Sequence, residues 1–183
     1  PEVEGSLAAA AGPAAGAPNI ASRDVAAAQH AKAADTLQEA RAKLSLGDPA
    51  AAARLGRKAS LLAPGDAEVR AQTAYLRLKS GDAAGALEEA KLATALGPRP
   101  RADALLLLSA AQYATGDATQ GRASLTRAVS LAPRLEPLLR LSAAGPSPEL
   151  DKAVALELSA AFTPAYETAL ASLDAGAPRA ERT

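Results

Sequence analysis

Side chains able to do covalent or metal chemistry are few in this chain and widely separated. There is no cysteine, methionine or tryptophan, and His30 is the single histidine. That composition excludes disulfides, thiolate metal sites and cysteine nucleophiles, and one imidazole cannot build a multi-histidine metal centre. His30 stands beside Gln29 and Lys32 with no partner for a metal or catalytic role, so it reads as a solvent-facing or packing histidine. Glu88 and Glu89, like Arg54, Arg57 and Lys58, fall on amphipathic helical stretches and read as a solvated outer face. No glycine-rich phosphate loop, Gly-x-Ser-x-Gly elbow or metalloprotease helix occurs. The chain therefore does not read as an enzyme, and no cofactor is expected.

Recognition by charge or stacking is equally restricted. Twenty basic residues balance 20 acidic ones, giving no general attraction to nucleic acid or to an anionic membrane. The four aromatics, Tyr75, Tyr113, Phe162 and Tyr166, leave little for base stacking. No apolar run approaches the roughly 18 residues that a bilayer span needs, so direct membrane insertion is not expected. The chemistry that remains is the binding of another polypeptide by apolar burial and a few polar contacts.

The elements that would position such a surface are helical. With 52 alanines and 27 leucines, the 183 residues are dominated by strong helix formers. Residues 1 to about 21 alternate Gly, Pro and short alanine runs without an apolar period and read as a flexible linker. Beyond Ser22 two markers recur in step. Gly47-Asp48, Gly81-Asp82 and Gly116-Asp117 are separated by 34 and 35 residues, and so are Pro64, Pro98 and Pro133. Glycine just past a helix end can take the left-handed conformation that closes the last turn, and the following aspartate can cap the next helix. This predicts helices over about 23–46, 49–63, 66–80, 83–97, 101–115 and 118–132, a short one over about 136–143, then 148–161 and 164–174, with 175–183 as a frayed tail. A fixed period of this length marks a repeat array.

These residues resemble the tetratricopeptide repeat family, whose unit is 34 residues in two antiparallel helices. Set by the Gly-Asp and Pro markers, the units are 33–66, 67–100 and 102–135, and 136–174 would form a degenerate repeat with capping helices. The columns the family keeps small hold Ala40, Ala74 and Ser109, then Ala52, Ala86 and Gly121, then Ala59, Ala93 and Ala128. The pattern departs at Thr36, Arg70 and Leu105, where a large residue is usual, and at Gly56, Ala90 and Leu125, where an aromatic is. The resemblance implies an all-α, right-handed α-solenoid of helical hairpins with C-terminal capping helices.

It also implies a concave groove lined by the first helix of each unit, which receives a partner peptide or helix. Carried over residue by residue, the groove set is Leu37, Arg41 and Leu44, then Glu68, Ala71, Tyr75, Leu78 and Lys79, then Asp103, Leu106, Ala110 and Tyr113. Tyr75 and Tyr113 either face the groove or pack between helices. Members that clamp a C-terminal carboxylate do so with lysines, asparagines and an arginine. Here those places hold Leu37, Arg41, Gln72, Asp103 and Leu107, so no such clamp is expected. Phe162 and Tyr166, flanking Pro164, would staple the capping helices to the last repeat. The expected role is a protein-interaction adaptor. Alternatives are an accessory domain of a larger bacterial protein, to which the Ala/Gly/Pro lead-in and the start at Pro1 point, or a structural subunit of an envelope, secretion or motility complex. A cytoplasmic location is expected, with the periplasm as the alternative. Partner identity and oligomeric state are not written in the residues.

Overall fold

The computed structural model describes residues 20–96, 99, 101–141, 147, 150, 151, 153 and 154. All regular structure among them is helical: α1 (Ile20–Ser45), α2 (Pro49–Leu62), α3 (Ala67–Lys79), α4 (Ala83–Leu96), α5 (Ala102–Ala114), α6 (Ala118–Leu131), a 3-10 turn (Pro133–Leu135) and α7 (Glu136–Leu141). Leu150, Asp151, Ala153 and Val154 are helical as well. The 1–19 part of the expected linker, the expected helix over 164–174, the 175–183 tail, Phe162 and Tyr166 lie outside the described residues. Ile20 and Ala21, expected as the end of that linker, already belong to α1.

The turns between paired helices follow one recipe three times. Gly47, Gly81 and Gly116 have φ of +81°, +83° and +88°, where a side chain is strained. The amide of each following aspartate donates to the carbonyl five residues back: Asp48 to Lys43, Asp82 to Arg77 and Asp117 to Gln112, each at 2.9 Å. The glycine amides donate to Leu44, Leu78 and Tyr113, completing the double closure of a Schellman turn. The same aspartates then cap the next helix, accepting from the amides of Ala51 (2.8 Å), Gly85 (3.0 Å) and Gln120 (3.0 Å). Helix stop and helix start are thus fused, which forces the chain to reverse at once.

Each reversal produces a closely packed pair: α1 on α2, α3 on α4 and α5 on α6. The pairs are joined through α2–α3 and α4–α5 contacts. In addition α1 meets α3 and α3 meets α5, whereas α2, α4 and α6 have no comparable row. α1, α3 and α5 therefore form one continuous row. The nine small positions of the three columns are all buried, six of the alanines at 0 % exposure. Small side chains at the crossings let backbones approach closely, so stability rests on many near contacts rather than on large anchors.

Two apolar clusters result. One joins α1, α2 and α3 through Ala33, Leu37, Ala40, Ala52, Ala59, Val69 and Leu76. The other runs from α3 to the C-terminal segment and includes Leu105, Leu106, Leu107, Leu125, Leu135, Leu138, Leu150 and Val154. At the junction of α2, α3 and α4 sits a polar layer. Thr73 Oγ1 donates to the Gly56 carbonyl at 2.8 Å, and Ser60 Oγ donates to Thr73 Oγ1 at 2.8 Å. Arg70 Nη1 lies 2.8 Å from Glu89 Oε2, with Arg77 Nη1 3.7 Å from Glu89 Oε1. Glu89, expected on a solvated face, is 8 % exposed. Its neighbours Gly85, Ala86 and Ala90 are too small to fill the space, and two arginines from α3 reach across to hold its charge. Glu88, Arg54, Arg57 and Lys58 are exposed as expected. No buried side-chain polar atom among the described residues lacks a partner.

Candidate binding surface

The wall formed by α1, α3 and α5 divides into a part that is open and a part that is covered. The open part is a cleft of about 230 Å³ between α1 and α3. Leu37, Val69 and Ala34 give it an apolar floor; Arg41, Gln38, Glu68 and Gln72 supply polar groups at its sides. At one end His30 Nδ1 is 2.7 Å from Asp66 Oδ2. The other oxygen of Asp66 accepts from the amides of Glu68 (2.8 Å) and Val69 (3.1 Å), capping α3. One carboxylate thereby fixes both the start of α3 and its spacing from α1. The histidine contact could not be read from the sequence, because a contact between residues 36 positions apart leaves no local signature.

Of the expected groove residues, Leu37, Arg41 and Glu68 line this cleft. Leu44 is half-buried against the first apolar cluster, near the end of α1. Tyr75 and Leu78 are half-buried and Lys79 is exposed, and all three belong to the neighbouring stretch of α3. The Lys79 ammonium lies 6.0 Å from the Tyr75 ring centroid, at the limit of a cation–π contact. Asp103 is half-buried and accepts from Arg101 Nε at 3.0 Å, so its charge is engaged within its own turn.

The remaining four positions are buried: Ala71 (1 % exposed), Leu106 (0 %), Ala110 (7 %) and Tyr113 (5 %) belong to the apolar cluster that runs from α3 to the C-terminal segment. The Tyr113 ring lies against the backbone of α6: a Cβ at Gly121 would fall 2.9 Å from its Cγ. It packs inside the α5–α6 hairpin. Its hydroxyl is pushed up from its ordinary pKa by burial, against a lowering pull from Arg122.

The covered part of the wall lies over α3 and α5. Leu150, Ala153 and Val154 are buried at 1 %, 0 % and 1 %, in the cluster that contains Leu105 and Leu106 and against which Tyr75 and Leu78 pack. Lys79 Nζ donates to Asp151 Oδ2 at 3.1 Å. That hydrogen bond raises the Lys79 pKa, over the opposing effect of burial. Tyr75 is also raised, chiefly by burial and further by Asp151, with Lys79 pulling the other way.

Among the described residues, no group of three or more Asp, Glu or His side chains could hold a metal ion, and no helix is long and apolar enough to cross a membrane. No protein-family model matches the chain, and no curated protein matches it either.

Proposed function

We propose that the chain is a protein-interaction adaptor, a tetratricopeptide-type α-solenoid whose inner wall receives a segment of another protein. The three fused Gly-Asp turns and the nine buried small positions support the repeat reading, since together they set the spacing and the closeness of the hairpins. The observation that carries the function is the open α1–α3 cleft. It combines an apolar floor with both charge signs at its margin, a mixture suited to a peptide side chain held by burial and oriented by a few polar contacts. Arg41 on one side and Glu68 on the other favour a segment with a carboxylate toward α1 and a cation toward α3.

Selection of binders from a random peptide display library against the whole chain tests this reading. Selected peptides should lose at least ten-fold in affinity on Arg41→Glu, and should be unaffected by substitution of the exposed Leu61 on α2. Peptides that bind equally well to Arg41→Glu, or no selection at all, would refute the cleft as the site.

A further inference from the structure

The Lys79–Asp151 contact joins positions 72 residues apart and bypasses an entire hairpin. A C-terminal segment that simply continued the row of helices beyond α7 would touch α5, α6 and α7. This segment instead returns over the wall to α3. Its start is fixed by Ser147, whose Oγ accepts from the Leu150 amide at 3.1 Å, with the Asp151 amide donating to the Ser147 carbonyl at 3.2 Å. From there Leu150, Ala153 and Val154 fall at i, i+3 and i+4, a single helical face, and all three are buried in the cluster that also holds Leu105 and Leu106 of α5. Asp151, beside that face, meets Lys79 at the rim, where the two side chains keep 56 % and 37 % exposure.

We infer that the helical face carrying Leu150, Asp151, Ala153 and Val154 is a built-in occupant of the α3–α5 wall, and that the external partner of this stretch is an amphipathic helix carrying the same pattern: apolar residues at i, i+3 and i+4 and a carboxylate at i+1. This rests on the adaptor reading of the inner wall and adds its regulation. The resident helix presents to the wall the side-chain set that a helix-in-groove ligand presents. Being tethered, it competes at a high effective concentration. A partner sees only the fraction of molecules in which the resident has lifted, and its apparent affinity falls by that fraction. The anchoring ion pair is at the surface, so it sets register more than strength.

The probe is a fluorescein-labelled synthetic peptide with the sequence of residues 147–161, titrated by anisotropy into the full chain. The comparison is the full-chain double variant Leu150→Asp/Val154→Asp, in which the resident can no longer seat. The peptide should bind the double variant at least ten-fold more tightly than the parent. Adding Lys79→Glu should weaken that binding, and a peptide carrying Asp151→Lys should restore it. Equal binding to parent and double variant, or none to a double variant with intact helical circular dichroism, overturns the inference. If the double variant unfolds, Asp151→Lys in the full chain decides, since it turns the rim attraction to Lys79 into a like-charge repulsion without touching the buried face. Several-fold tighter binding than to the parent supports displacement; no gain means the segment is a permanent part of the core and the inference fails. Arg41→Glu should leave this peptide unaffected. Failure here with Arg41-dependent display peptides still binding removes the resident-helix idea alone; the reverse removes the cleft.

Discussion

Glu89 on α4 and Arg70 on α3 form a buried ion pair, Oε2 to Nη1 at 2.8 Å, in which neither side chain keeps more than 16 % of its surface. The pair stands where the tetratricopeptide pattern that the chain resembles has large side chains: Arg70 is at the place of one, and Ala90, next to Glu89, at the place of an aromatic. A second guanidinium, Arg77, approaches the same carboxylate and also binds Asp82 at 2.8 Å through Nε. The three groups fill by charge a volume that the alanines leave empty. Such a pair adds little net stability over an apolar filling, but losing one partner strands the other.

Glu89→Ala should therefore cost about 3–5 kcal/mol, read as the shift in urea midpoint at constant slope. The double variant Arg70→Leu/Glu89→Leu should recover most of it, because an apolar pair of similar volume needs no compensation. A Glu89→Ala cost below about 1 kcal/mol would mean that the pair is hydrated and its burial misread.

Two glycines of the third hairpin separate backbone strain from steric crowding. Gly116 has φ +88° and open space around a would-be Cβ, so Gly116→Ala should cost about 1–2 kcal/mol from the left-handed conformation alone. Gly121 is an ordinary helical residue whose Cβ would meet the Tyr113 ring, so Gly121→Ala should cost about 1–3 kcal/mol by overpacking. In a Tyr113→Leu background the Gly121→Ala cost should shrink while the Gly116→Ala cost stays the same. A double-mutant cycle by thermal melting measures this.

Asp82 links turn and polar layer, and its protonation should be visible in acid. Burial pulls its carboxyl up, but the Arg77 hydrogen bond, the Gly85 amide and the charges of Arg77 and Arg57 together hold it below the usual range. A lowered folded-state pKa adds stability that is complete above the ordinary carboxylate value of 3.8 and disappears as pH falls through the lowered one. Asp82→Asn keeps a capping side chain and removes the charge. It should be less stable than the parent at pH 7 by at most about 1 kcal/mol, since the side chain is 38 % exposed and screened. The gap should narrow as pH falls below 3.8 and close once the lowered folded-state value has been passed. Urea titrations at pH 7 and along an acid series check it.

Much of this fold could be read in advance because its signals are local. A glycine that must take φ near +85° and an aspartate that must cap act within a few residues of each other, so the Gly-Asp markers place the hairpins to within about three residues. The small columns were legible through the resemblance to the tetratricopeptide repeat, which implies small residues such as Ala40, Ala52 and Ala59 at the crossings. Tyr113 was harder: helical period gives its face, but whether that face meets α6 or the open wall depends on Gly121, which removes the Cβ and admits the ring. The burial of Glu89 and of Leu150, Ala153 and Val154 was illegible for a related reason. Their burial is decided by Arg70, Arg77 and the α3–α5 wall, none of them near in sequence, and nothing between Leu141 and Ser147 states which way the chain turns.

The Lys79–Asp151 contact has its own pH and salt signature. The raised folded-state pKa of Lys79 means that its contribution is complete below the ordinary lysine value of 10.5 and is lost as pH rises through the higher one. With Lys79 37 % exposed and Asp151 56 % exposed, solvent screening keeps it below about 1 kcal/mol. Lys79→Ala should lower the melting temperature slightly at pH 7 and low salt. The difference should vanish in 1 M salt, where the screening length is about 3 Å, and should persist up to pH 10. A difference unchanged by salt would mean that the Lys79 stem, packed on Tyr75, is what matters.

Leu37 and Arg41 are one helical turn apart on α1, and both border the cleft, yet they should respond in opposite ways. Leu37 is 6 % exposed and part of the cluster with Ala40, Val69 and Leu76. Cutting it to alanine opens a cavity in a core already short of large side chains, so Leu37→Ala should cost about 2–5 kcal/mol and weaken a cleft-bound peptide only through loss of fold. Arg41 is exposed and makes the cleft positive on that side. Arg41→Glu should stay within about 0.5 kcal/mol of the parent in stability and yet reverse the preference for a carboxylate-bearing segment. Circular dichroism melts and anisotropy titrations of the same two variants separate the roles. If Arg41→Glu destabilises as much as Leu37→Ala, the arginine belongs to the scaffold, and the polar margin of the cleft is structural rather than a recognition surface.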